Sequence, residues 1–387
     1  MEICDPKELG FDPDRLARLT ALIRAEIQAE RWDGCELVVG RHGRVAYHEC
    51  LGFADRAARR AVEPDQPFIT MSIGKQFVVA LLLARVERGE LALTTRVAER
   101  IPEFGARGKS RITVAQLLTH TSGLLAMMPP VAPEDAGDLA KVVAAICDSA
   151  PESQPGTRVT YSVIAAHAIL GELVRRADGG RRALREILDA ELFQPLGMRS
   201  SSLGVRPDLA KRLAPVVMRD RRAGLFEPEA IEALGQGIGA TTEIPAGGYV
   251  STAPDVWRFA EMLRRGGELD GVRILSPAML ELAQVDRTGE RPNSLWDYTF
   301  DLRGWDPFPS RLGLGFFLRG PDVHPTPFGL LASPRTFGGF GAGSTAFWVD
   351  PLRDVSYAFL SSGLLEDSYS VERHQRLADL VHAAIVA

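Results

Sequence analysis

The chain has 387 residues, 45% of them hydrophobic and 25% charged, with a formal net charge of -5. That length exceeds one small core and suits two lobes or one large α/β body of ordinary globular composition. Arginines are scattered among acids without a basic block, which excludes nucleic acid as a partner, and no run approaches the roughly 18 apolar residues of a membrane span. The N-terminal MEICDPKELGFDPDRL lacks the apolar stretch of a signal peptide, so no membrane partner and a cytoplasmic location are expected. Cys4, Cys35, Cys50 and Cys147 have no paired spacing and no histidine cluster beside them. Reduced thiols, no metal and no cofactor follow, although Cys35 and Cys50 could face each other across a hairpin.

Residues 14–31 carry Leu16, Leu19, Leu22, Ile23 and Ile27 at helical spacing. CELVVG and RVAYHECLGFAD, joined by Arg41-His42-Gly43, read as a β-hairpin. A helix over 72–88 follows, stopped by Gly89, and Leu91 to Ile101 reads as an irregular connector. Another helix opens after Thr113, and helices are predicted at 138–149, 161–177, 181–193 and 254–266, the last behind the Thr252 cap and Pro254. Strand patterns return at 312–319, 344–350 and 354–361, before an amphipathic helix over 366–386. Strands thus lie at both ends of the chain and helices in between. The expected fold is α/β (α+β): an antiparallel sheet from residues 1–89 and 246–387, flanked by helices, with a mostly helical lobe inserted over 90–245.

Chemistry is concentrated at Ser72-Ile73-Gly74-Lys75. A serine and a lysine three apart at a helix start share one face, so the amine can take the hydroxyl's proton. As a bare pattern this is more often a cap followed by a solvated lysine. The residues after it, Phe77, Val78, Val79, Leu81, Leu82, Leu83 and Val86, are too apolar for a surface helix. A lysine at the start of a buried helix calls for a reason. Tyr161, read as the start of the next helix after Pro155-Gly156, is a second candidate: such a tyrosine shuttles a proton if a nearby cation lowers its pKa. The glycine run from Phe337 to Gly343 leads into a strand, where an exposed N–H together with that of Ser72 would form an oxyanion hole. There is no Lys-Ser/Thr after this run, so it is not a phosphate loop, and no G-x-S-x-G occurs.

Taken in order, Ser-x-x-Lys, then Tyr-Ser, then a glycine-rich strand resembles the serine β-lactamase and penicillin-binding-protein superfamily. The branch it is most similar to holds the class C β-lactamases, D-alanyl-D-alanine peptidases and family VIII carboxylesterases. LLTHTSGL (117–124), PGTRVTYS (155–162), PLGMRSSSLG (195–204), GGYVSTAPDVWRFAEML (247–263) and LGLGF (312–316) extend the resemblance over nearly the whole chain. It implies the β-lactamase/transpeptidase-like fold, Ser72 as the acylated nucleophile, Lys75 as the amine that activates it, and Tyr161 as proton relay.

Two departures bear on substrate. The lactamases carry Tyr-x-Asn where this chain has Val163, and Lys-Thr-Gly where no cation stands here. The strand motif has two registers. Gly339-Phe340-Gly341 puts the second oxyanion N–H on Ala342; Phe337-Gly338-Gly339 puts it on Phe340. A site without that lysine and asparagine forgoes charge-assisted bonds worth about 1.5–3 kcal/mol, which shifts the expectation from antibiotics to apolar acyl esters or thioesters. Val163, Phe337, Gly339, Gly341, Met127, Trp296 and Trp305 are the expected substrate-binding residues. The reading is a serine acyl-enzyme hydrolase of the carboxylesterase kind. The alternatives are an acyltransferase using an alcohol or amine acceptor, a β-lactamase or peptidase, and a non-catalytic binding protein of the same fold.

Overall fold

In a computed structural model describing residues 2–387, strands from the two ends of the chain pair in one sheet. Its strands are β1 (Gly34–Arg41), β2 (Arg44–Asp55), β3 (Arg60–Ala61), β4 (Phe317–Leu318), β5 (Phe337–Gly341), β6 (Thr345–Asp350) and β7 (Val355–Ser362). Their order is β3-β2-β1-β7-β6-β5-β4, and every pairing is antiparallel. The joint between the chain's ends is β1 on β7, in register from Gly34 opposite Ser362 to Arg41 opposite Val355. Cys50 lies opposite Glu36 and Cys35 opposite Leu51, so the two cysteines are not cross-strand partners; all four cysteines are free thiols.

The main helices are α1 (Pro13–Gln28), α2 (Lys75–Glu87), α3 (Val114–Leu118), α4 (Leu139–Asp148), α5 (Ala165–Ala177), α6 (Pro228–Gly237), α7 (Ala253–Arg264) and α8 (Asp367–Ala383). Alternation along the strands assigns α7 and α8 to opposite faces of the sheet. Phe347 meets Phe259 of α7 edge-on at 5.6 Å, whereas its neighbour Trp348 stacks on His382 of α8 at 4.7 Å. Helix α1 packs beside α8.

Helix α2 passes through the interior with every residue from Lys75 to Arg85 buried. Its Phe77 ring makes edge-on contacts with Phe193, Tyr249 and Phe259 at 5.4, 5.4 and 4.9 Å. Removing side chains such as Leu81, Leu82 and Leu83 from water contributes roughly 1.5–3 kcal/mol each, which fixes the helix and the residues at its start. Helix α3 begins at a capping box in which Thr113 and Gln116 satisfy each other's backbone N–H groups.

The differences from expectation are local. The stretch 181–193 divides into an α-helix, Leu184–Leu188, and a π turn, Asp189–Phe193. Of 312–319 only Phe317–Leu318 is strand, because the glycines at 313 and 315 interrupt the alternation. The glycine run is itself strand β5. Helix α6 had no sequence expectation. No helix among the described residues is long and apolar enough to cross a membrane.

Candidate active site

Ser72 lies in a 3₁₀ turn, Met71–Gly74, that runs directly into α2. Met71 has φ 50°, a left-handed conformation costing roughly 1–3 kcal/mol in a residue with a side chain, so neighbours must hold it. The Thr70 N–H donates to the Tyr249 carbonyl at 2.9 Å, and the Thr345 hydroxyl donates to the Thr70 carbonyl at 2.7 Å. A Cβ on Gly74 would stand 2.1 Å from the Tyr249 ring; the glycine between Ser72 and Lys75 is a packing requirement.

Lys75 is 2% exposed. Its Nζ donates to Ser72 Oγ at 3.0 Å and to the Ala246 carbonyl at 2.7 Å. Burial with no carboxylate beside it lowers its pKa to about 7, because the ammonium loses its hydration. A neutral amine, the form able to accept a proton, is therefore well populated near neutrality.

Tyr161 is buried, with its ring centroid 5.3 Å from Lys75 Nζ. It precedes α5 in a segment without regular secondary structure rather than beginning a helix. The flanking Thr160 N–H donates to the His120 carbonyl at 2.8 Å and the Val163 N–H to the Ala126 carbonyl at 2.8 Å. Burial pushes the phenol's pKa up, opposed by its hydrogen bond with Ser72. That reverses the expected cation effect, and the cause is the same burial that discharges Lys75. Tyr161 is thus a protonated phenol in contact with the Ser72 side chain.

His120 lies under this ring, centroids 4.5 Å apart, and its Nδ1 accepts the Ser162 N–H at 3.0 Å. Burial and the nearby Lys75 bring its pKa down to about 3, and burial holds His167 well below the usual value. Both imidazoles are neutral, and His120 serves as a hydrogen-bond acceptor for the backbone beside Tyr161.

Strand β5 closes the other side. A Cβ on Gly341 would stand 2.8 Å from the Ser72 nitrogen and 2.8 Å from the Met71 Cβ, so only glycine lets the strand approach. Ala342, next in the chain, lines the same cavity as Ser72, and no acceptor among the described residues takes its N–H. This is the geometry of the Gly339-Phe340-Gly341 register. Phe340 turns its ring onto Phe317 at 4.7 Å and Trp296 at 5.8 Å, and does not line the cavity.

The cavity above Ser72 measures about 1100 Å³. Of the expected substrate-binding residues, Met127 and Val163 line it. Gly341 lies beside Ser72, but the remaining four are elsewhere. Phe337 is buried edge-on to Phe316 at 5.5 Å, and Gly339 faces α2, where a Cβ would stand 2.4 Å from Gln76 Oε1. Trp296 and Trp305 line a separate cavity of about 540 Å³ with Phe308, because Trp296 is spent on stacking against Phe340. The sequence reading missed Ala246, and also Phe226, Ile231 and Leu234 on and beside α6, which form the apolar wall opposite Met127. The available signal was Glu227-Pro228 as a helix start with apolar residues at 231 and 234. Glu36, His48 and Cys50 come close enough on the sheet to suggest metal donors. None of them lines the cavity, and the Glu36 oxygens already accept from His48 and from the Asp65 and Gln66 N–H groups.

The seven-stranded antiparallel sheet with helices on both faces, and the Ser72–Lys75–Tyr161 cluster at the start of α2, define a β-lactamase/transpeptidase fold. The sequence pattern of the beta-lactamase family matches residues 19–382, and the chain belongs to that family. It is similar to the esterase EstB of Burkholderia gladioli, 34% identical over 214 residues that are 50% of this chain and 53% of EstB. It is 31% identical to penicillin-binding protein 4 of Amycolatopsis lactamdurans over 66% of this chain and 65% of that protein. The matches therefore span about half to two thirds of these relatives' own length. A penicillin-binding protein homologue from Caulobacter crescentus superposes with a TM-score of 0.79 at 26% identity, covering 99% of both chains. The relatives of this family that it resembles thus include an esterase and a penicillin-binding protein.

Proposed function

We propose that the protein is a serine acyl-enzyme hydrolase of apolar esters, with Ser72 as nucleophile, Lys75 as base and Tyr161 as proton relay. The observation that carries this reading is the buried Lys75 amine, with a pKa near 7, at 3.0 Å from Ser72 Oγ. In acylation Ser72 Oγ bonds to the ester carbonyl carbon as its proton passes to Lys75 Nζ. The negative charge on the former carbonyl oxygen is met by the N–H groups of Ser72 and Ala342. The C–O bond to the leaving alcohol then breaks, the phenol proton of Tyr161 goes to the departing oxygen, and Lys75 returns a proton to Tyr161. Water repeats the sequence in reverse roles: its proton goes to Lys75 through Tyr161, its oxygen bonds to the acyl carbon, and Ser72 leaves reprotonated.

The substrate class follows from the cavity wall. Met127, Val163, Phe226, Ile231 and Leu234 offer apolar surface. With Val163 in place of an amide-binding residue, that position gives a β-lactam side chain no hydrogen-bonding side chain. Acyl transfer to an alcohol or amine is the second reading. A cavity of about 1100 Å³ has room for an acceptor beside an acyl chain, and an apolar site disfavours water. The test is intact-protein mass after exposure to a fluorophosphonate and to a panel of acyl esters. Labelling of the wild-type chain, lost in Ser72→Ala, is expected. An unlabelled wild-type protein is the result of the non-catalytic alternative and would sink the proposal, and fast turnover of a chromogenic cephalosporin would overturn the ester preference. Shortening of the acyl-enzyme lifetime by an added alcohol, with ester as product, would favour transfer.

A further inference from the structure

The Ala342 N–H sits at the tip of the β5–β6 hairpin, and that tip is held by the start of α8. The Gly343 N–H donates to Asp367 Oδ1 at 3.0 Å. The Gly343 carbonyl accepts from the Leu365 N–H at 3.0 Å and from Arg373 Nη2 at 3.2 Å, and the same guanidinium nitrogen reaches the Ser344 carbonyl at 3.3 Å. Gly343 has φ 60°, and a Cβ there would stand 2.2 Å from the Leu365 carbonyl oxygen. The tip is thus pressed against residues 365–367 and bonded through both its N–H and its carbonyls.

Asp367 is an expensive residue to place here. It is 9% exposed, and among the described residues its carboxylate has one hydrogen-bond donor, Gly343, and no salt-bridge partner. The charge acting on it is that of Glu366, a like charge, and Tyr161 and Tyr298 are the titratable groups facing it; the nearby cations Arg373 and Arg303 bond instead to the Gly343 and Ser344 carbonyls and to Ser368. Burial and Glu366 push its carboxyl up to about 7. A buried carboxyl with a single bond, to the residue after a free N–H, is placed for that bond.

We infer that Asp367 is a positioning residue for the oxyanion site: by fixing Gly343 it aims the Ala342 N–H at the oxygen that becomes negative in the transition state. The inference rests on the acyl-enzyme reading of Ser72. Asp367 touches no reacting atom, so its loss should leave ground-state binding alone and weaken only transition-state stabilisation.

The test compares Asp367→Ala with Asp367→Asn, whose amide oxygen can still accept the Gly343 N–H. In D367A we expect faster hydrogen exchange at Gly343 and a fall in kcat of about 10- to 100-fold, less than or near the loss of a whole oxyanion donor. KM should stay within about 2-fold, and affinity for a boronic acid that forms a tetrahedral adduct with Ser72 should fall in parallel with kcat. D367N should keep kcat within about 3-fold of wild type. Should D367A fail to fold, Asp367→Ser, too short to reach Gly343, is read the same way. A kcat in D367A within about 2-fold of wild type, equal damage in D367N and D367A, or unchanged exchange at Gly343 overturns the inference. Failure of the acyl-enzyme reading shows separately, as absent Ser72 labelling in the wild-type protein, while the exchange at Gly343 still reports on the clamp.

Discussion

Lys75 Nζ is nearer to the Ala246 carbonyl, 2.7 Å, than to Ser72 Oγ, 3.0 Å. A neutral amine has two N–H bonds and one lone pair. With one N–H committed to Ala246, rotation about the last bond of the side chain is restricted and the lone pair can settle on the serine proton. The backbone of residue 246 therefore orients the amine that burial has discharged. Lys75→Arg keeps a cation that cannot deprotonate, so acylation should fall by at least about 100-fold, read as the rate of fluorophosphonate labelling. Retained labelling would remove Lys75 from the role of base.

The same lysine sets a pH dependence. Its pKa is lowered to about 7, so the neutral, reactive form is lost as pH falls through that value and gained as pH rises. The acylation rate should climb through about pH 7 and level off above it. His120 and His167, already neutral across this range, contribute no limb. The sign for stability runs the same way. The unfolded lysine binds a proton up to its ordinary value while the folded one releases it near 7, so stability attributable to this group rises with pH between the two. A flat labelling rate from about pH 5 to about pH 9 would contradict the assignment.

Tyr161→Phe removes the phenol but keeps the ring that packs on His120. Thermal stability should change little, while acyl-enzyme turnover slows by about 100-fold or more. Intact-protein mass should then show the acylated chain accumulating during reaction with a short-chain ester. Wild-type turnover in Tyr161→Phe would exclude the relay.

Gly341→Ala inserts a methyl group where the Ser72 nitrogen lies 2.8 Å away and Thr345 Oγ1 closer still. The strand must retreat from Ser72, with an overpacking cost of about 1–3 kcal/mol and a loss of kcat larger than that lost stability accounts for. Equal kcat in a folded Gly341→Ala protein would refute a role for β5 in holding the oxyanion.

Ile231→Trp fills the α6 side of the cavity. The preferred acyl chain should shorten, read as the ratio of kcat/KM for octanoyl over butyryl esters falling by about 10-fold or more, with Ser72 labelling by a small fluorophosphonate unchanged. An unaltered chain-length profile would move the acyl group to another part of the cavity.

The sequence made the serine–lysine pair legible for a physical reason. Ser72 and Lys75 are held by one helix, and an apolar run around a lysine can be read directly as burial. Residues 34–55 and 345–362 alternate or run apolar as paired strands do, so the two-ended sheet was legible as well. Helix α6 was not, because only Pro228 and Ile231 of it are buried; most of its apolar surface faces a cavity instead of a core, which leaves only the short signal of Pro228 with Ile231 and Leu234. The tryptophans misled because an aromatic-rich loop reads the same whether its rings meet a ligand or each other. Trp296 meets Phe340, a pairing that depends on a contact between distant segments.

The pairing of β1 with β7 also governs when the chain can react. Ser72 and Lys75 lie within one turn of each other, whereas Ala342 stands 270 positions after Ser72 in the β5–β6 hairpin, which joins the N-terminal strands only through β7 paired on β1. A chain in which β7 had not closed on β1 would hold the serine beside the amine without the Ala342 N–H at its side. On the acyl-enzyme reading, labelling at Ser72 therefore requires a pairing between the two ends of the chain and reports on it.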